Sequence, residues 1–160
     1  TMNTADRSIQ LLDTALRRRF KFEELLPQYE IIINDNAKTI LKNLNNRIRC
    51  FPNKDNQIGH ANFIHAKNNC EIFSIMINKV IPLLEEYFYN DTEKIRFVLN
   101  EDGNVEKSFY IEDKEAKEAY NLYNKEGIDE EKSFYILNED LKKLSDEDKC
   151  SEYLANLLNK

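Results

Sequence analysis

An amide at one end and three guanidinium groups at the other bracket a short striped segment near the start of the chain. Asn3 stands just ahead of Asp6 and Ser8, either of which can cap a helix. Ile9, Leu12, Leu16 and Phe20 then recur at three- and four-residue steps, and Arg17, Arg18 and Arg19 fill the last turn. Asparagine donates and accepts hydrogen bonds at once, which suits holding a water against a phosphate oxygen, while guanidinium groups match the planar geometry of phosphate. The layout is that of a nucleotide-hydrolysing site shared between subunits. The same residue types also have plainer uses, because asparagine ahead of a helix forms turns and arginines at a helix C-terminus offset its dipole. Consecutive helical residues fan through about 200 degrees over three positions, so the three arginines cannot all face one phosphate.

Other chemistries are poorly served. With three glycines in all, Gly59, Gly103 and Gly127, the chain has no phosphate loop of the GxxxxGK[ST] kind. His60 and His65 lack acidic or cysteine partners at ligand spacing, so no metal site is expected. Cys50, Cys70 and Cys150 contain no CxxC pair and read as reduced, buried thiols of a cytoplasmic protein. No apolar run approaches the roughly 20 residues a membrane span requires. Charge is uneven: residues 1–50 carry nine Lys and Arg against six Asp and Glu, whereas residues 101–160 carry nine against seventeen. That acidic last third argues against a nucleic-acid surface there, since phosphate neutralisation supplies most non-specific affinity.

Further along the chain, Phe20 to Leu26 alternates apolar and charged residues at first and reads as a strand closed by Pro27. Ile33, Ala37, Ile40, Leu41, Leu44 and Ile48 fall on one face of a helix predicted over residues 30–50. A second helix is expected over 69–80 through Phe73, Met76, Ile77 and Val80, with Pro82 opening a new helix or kinking the old one. Leu83, Leu84, Tyr87 and Phe88 continue the apolar face, and Asn90 with Glu93 suggests a capping box for a helix through Ile95, Val98 and Leu99. The hexapeptide at residues 106–111 recurs letter for letter at 131–136. Each copy reads as a strand, the two being either paired or parts of a two-fold arrangement of strand-helix units. Ala116, Ala119, Tyr120 and Tyr123 mark a helix between them, and Ser145 is expected to cap a last helix.

The run Met2-Asn3-Thr4-Ala5-Asp6-Arg7-Ser8, then Leu12-Asp13 and Ala15-Leu16-Arg17-Arg18-Arg19-Phe20, resembles the sensor-1 and arginine-finger region of McrB-type AAA+ proteins. These are the GTPase subunits of methylcytosine-specific restriction systems. Gln57-Ile58-Gly59-His60, Phe63 and the segment Ile81 to Tyr89 resemble the helical lid of the same family, so the likeness covers about residues 1–99. The resemblance implies a mainly α (α+β) chain in three parts: the edge of an AAA+ α/β core at 1–26, a helical lid at 27–99 and a small acidic α/β extension at 100–160. Asn3 would be sensor 1, and Arg18 and Arg19 would reach a neighbour's nucleotide, with Arg17 structural. Asp6 and Arg7 would order the site, and His60 would lie where the lid faces the nucleotide. The implied cofactors and partners are GTP or ATP with Mg2+, a homo-oligomeric ring, a nuclease subunit, and DNA held through the complex. Lacking the phosphate loop and the paired acids of Walker B, the chain is expected to be the C-terminal part of a larger NTPase and inactive alone. The alternatives are a MoxR- or dynein-like AAA+ ATPase and a non-catalytic interaction module.

Overall fold

Asn34 starts the first long helix by accepting the backbone N–H of Ala37 with its side chain, so α1 runs Asp35–Ile48. The computed structural model describes residues 25–52, 56–101, 107–123 and 134–159. Ahead of α1, Tyr29–Ile31 forms a 3-10 turn, so the helix is shorter than residues 30–50, and Ile33 lies outside it at 84% exposure. The remaining predicted face of α1 is buried: Ala37, Ile40, Leu41, Leu44 and Ile48. The part of the expected strand at Leu25 and Leu26 has no regular structure, and residues 20–24 lie outside the described residues.

The next rod has two α-helical halves. α2 spans Asn69–Ile75, α3 spans Ile81–Tyr87, and one π-helical turn, Met76–Val80, joins them. Pro82 has no N–H for an ordinary helical bond, and the wider turn, in which the Ile81 N–H bonds to the Met76 carbonyl, absorbs the mismatch without breaking the rod. Ile72, Phe73, Met76, Ile77, Val80, Ile81 and Leu84 therefore stay on one buried side. The rod ends with Tyr89 and Asn90 both in the left-handed region, at φ 55 and 58. That conformation excludes Asn90 as a helix cap; Asp91 caps α4, Thr92–Val98, by accepting the Lys94 N–H.

The repeated hexapeptides pair with each other. β1, Tyr110–Glu112, and β2, Tyr135–Leu137, run antiparallel with Ile111 opposite Ile136, the same letter of each copy. Where β1 begins, the Phe109 and Tyr110 N–H groups are taken by the buried Glu101 carboxylate. α5, Lys114–Tyr123, lies between the strands in sequence. Asp146 rather than Ser145 caps the final helix α6, Glu147–Leu158, by accepting the Lys149 N–H.

One hydrophobic cluster extends from Ile32 to Leu157 and includes Phe73, Phe88 and Phe109. Asparagines and charged groups then fasten α6 at both ends. Glu147 accepts from the Asn69 N–H at 2.8 Å and the Cys70 N–H at 3.3 Å at the start of α2, and Asn69 donates to Ser151 Oγ at 2.8 Å. At the other end Asn43 donates to the Leu157 carbonyl at 2.9 Å, Asn100 to that of Asn156 at 2.8 Å and Arg47 to that of Asn159 at 2.7 Å. These satisfy carbonyls that a helix end leaves orphaned, and a cation there also favours the dipole. Cys50, expected to be buried, is exposed, because it lies past the end of α1 where the apolar face has already closed.

Candidate functional site

The residues with polar reach cluster at one edge of α1. Tyr29 enters on its 3-10 turn, Lys42, Asn46 and Arg49 project from the helix, and Gln57 comes from the loop after it. With Leu26 and Pro27 they line a cleft of about 270 Å³. Lys42 Nζ lies 5.4 Å from the centre of the Tyr29 ring and 3.5 Å from Glu30 Oε1, and Lys38 Nζ lies 3.6 Å from Glu30 Oε2. These ion pairs are largely solvated and hold the lysines only weakly. The cleft thus offers cations, amides and an aromatic face.

Asn45 builds this edge from beneath. It is buried on α1, donates to the Tyr29 hydroxyl at 3.1 Å and the Ile58 carbonyl at 3.0 Å, and accepts the Ile58 N–H at 2.7 Å. One amide therefore satisfies both backbone groups of a fully buried residue and fixes Gln57 to Gly59 against the helix. The same strut sets the height of His60, which opens the 3-10 turn His60–Asn62. His60 Nδ1 accepts the backbone N–H of Gln28 at 3.0 Å, leaving Nε2 as the ring's donor. The histidine thereby ties the segment entering α1 to the loop leaving it. Asn45 was not among the candidates from sequence. Its signal was present: an asparagine four residues after Leu41 on an apolar stripe requires a buried partner.

Of the residues singled out from sequence, Asn3, Asp6, Arg7, Arg17, Arg18 and Arg19 lie outside the described residues. His60 stands on the loop that Asn45 holds, joined to Gln28 on the cleft side of the bundle. Among the described residues no group of three His, Cys, Asp or Glu side chains could hold a metal ion, and no helix is long and apolar enough to cross a membrane.

The bundle has a known counterpart. Residues 36–96 match the family model of the McrB alpha-helical lid domain. The matched stretch runs from the first turn of α1 into α4, and takes in Asn45, the Ile58 loop, His60 and the π turn. The chain is also similar to the "Type IV methyl-directed restriction enzyme EcoKMcrB subunit" of Escherichia coli (strain K12), at 31% identity over 58% of this chain. That alignment covers 25% of the relative, so the chain matches about a quarter of the length of that curated protein. The lid shares one core with the C-terminal elements, since Phe109 stacks on Phe73 at 5.7 Å and Tyr153 contacts both rings.

Proposed function

We propose that this chain is the C-terminal part of an AAA+ nucleoside-triphosphatase resembling the GTP-hydrolysing subunit of a modified-DNA restriction complex, and supplies its sensor 1, its trans arginine finger and its lid. The observation that carries the proposal is the McrB lid match at residues 36–96, directly downstream of the sensor-like Asn3 and the arginine run. A restriction-type lid favours this reading over a MoxR- or dynein-like motor, and a lid attached to a finger favours it over a docking module.

The described residues suit one flank of a nucleotide rather than its cradle. Lys42 and Arg49 supply positive charge, and Asn46, Gln57 and Tyr29 supply amides and a ring at the open edge of α1. They include no cluster for Mg2+, and the chain has no GxxxxGK[ST] loop, so the phosphates and the metal would be held by other polypeptide. On this account Asn3 positions the attacking water, Asp6 and Arg7 order its surroundings, and Arg18 and Arg19 stabilise transition-state charge in the adjoining protomer of a ring. His60 acts through backbone, holding the segment that joins core to lid. The parent would be cytoplasmic, bind GTP or ATP, engage a nuclease subunit, and meet DNA through the complex rather than through these residues.

The test uses the parent protein with its phosphate loop. Arg18→Ala or Arg19→Ala should lower turnover by roughly a thousandfold, as loss of a trans finger does, while ring assembly persists. Asn3→Ala should also abolish most turnover, and Arg17→Ala should change it little. Full turnover in assembled rings lacking both Arg18 and Arg19 would overturn the proposal.

A further inference from the structure

Cys70 and Cys150 are 80 residues apart in sequence, yet their sulfurs lie 2.6 Å from each other across the α2–α6 seam. A disulfide bond is about 2.05 Å long, so closure needs only a small side-chain adjustment. We propose that this pair is a reversible disulfide site that covalently locks the C-terminal helix onto the lid.

The surroundings hold both partners in place. Cys70 lies in the first turn of α2, where its N–H and that of Asn69 bond to Glu147, and its Sγ lies 3.4 Å from the Ser145 carbonyl. Cys150 is buried one turn into α6 and Cys70 is half-buried, so a small reagent meets Cys70 first. The hydrogen bond to Cys150 pushes the Cys70 thiol up to about 12, with burial and Glu147 adding to it. At rest Cys70 is therefore a protonated thiol, slow to attack and protected from casual oxidation.

Oxidation requires a co-reactant, and an aliphatic disulfide such as oxidised glutathione suffices. The Cys70 thiolate attacks one sulfur of the reagent and expels the first glutathione thiolate, which takes up the proton. Cys150 then attacks the Cys70 sulfur, releasing the second glutathione as thiol. Two cysteine thiols are oxidised to one disulfide, and one glutathione disulfide is reduced to two thiols. Cys50 is exposed past the end of α1 and is not part of the pair.

The experiment incubates the full 160-residue chain with oxidised glutathione for hours, then counts thiols in denaturant and maps linked peptides by mass spectrometry. The expected result is a Cys70–Cys150 link, lost on adding dithiothreitol and unaffected by Cys50→Ser. Closing a loop this long should raise Tm by roughly 10 °C in the oxidised chain. Cys70→Ser, at a half-buried position, should keep the fold and remove both the link and the oxidant-dependent rise. Persistence of all three free thiols, a stable glutathione adduct on Cys70, or links that always include Cys50 would each overturn the proposal.

Discussion

Asn45→Ala should destabilise the chain far more than a surface change of the same size. The side chain is buried, and its three hydrogen bonds go to the Tyr29 hydroxyl and to the N–H and carbonyl of Ile58, itself fully buried. Tyr29 is half-buried and can turn to solvent, but the two Ile58 groups cannot. A buried polar group left without its partner costs about 1–3 kcal/mol, so two of them amount to roughly 2–6 kcal/mol, a large part of the 5–15 kcal/mol typical of a folded domain. With a urea slope of about 2 kcal/mol/M the midpoint should fall by at least about 1 M. Asn45→Asp sharpens the test: at neutral pH it accepts the Ile58 N–H but sets a charge against the Ile58 carbonyl, and at acidic pH its protonated form can donate there. It should therefore be unstable near pH 7 and recover part of the loss near pH 4. A midpoint for Asn45→Ala within about 0.3 M of the parent chain, or Asn45→Asp as stable as Asn45 at both pH values, would refute the assignment of Asn45 as the strut of the lid edge.

Two further outcomes are expected from other polar contacts. Burial raises the Glu101 carboxyl above its ordinary value of 4.5 despite hydrogen bonds from Ser108 and the backbone N–H groups of Phe109 and Tyr110. The folded chain then keeps a proton that the unfolded chain releases, so this group's contribution to stability falls as pH rises from the ordinary carboxylate range through the raised value. Glu101→Gln should remove that slope, gaining on the parent chain in thermal midpoint between about pH 4 and 7; an unchanged slope would count against a buried, proton-retaining carboxyl. Asn34→Ala removes both the cap on the Ala37 N–H and the bond to the Lys67 carbonyl, and should cost about 1–2 kcal/mol in urea melts, whereas Asn34→Asp, which keeps the cap, should cost about half as much.

Much of the core was legible in the order of the residues. Ala37, Ile40, Leu41, Leu44 and Ile48, then Phe73, Met76, Ile77 and Val80, announce buried helix faces because a helix returns its side chains to one side every three to four positions. The twin hexapeptides announced strands through their β-favouring residues, also a local property. The resemblance to a helical lid also lay within reach of short motifs, since Gln57 to His60 and Ile81 to Tyr89 are contiguous. Ends of elements were read less well: Asn90 and Asp91, or Ser145 and Asp146, are equally able to cap, and backbone torsion decides between them.

What the tertiary structure alone decided is polar and long-range. The stripe places Asn45 inside, but nothing local names its partner or those of Asn43 and Asn100, because each partner lies 13 to 114 residues away. Two identical hexapeptides received different surroundings: Phe109 enters the core against Phe73 and donates its N–H to the Glu101 carboxylate, while Phe134 stays half-buried beside Tyr120. Cys70 and Cys150 likewise looked unrelated until α6 packed on α2. Apolar burial is encoded by periodicity along a few turns of chain, whereas the partner of a buried amide, carboxylate or thiol is set by which elements the completed core brings together.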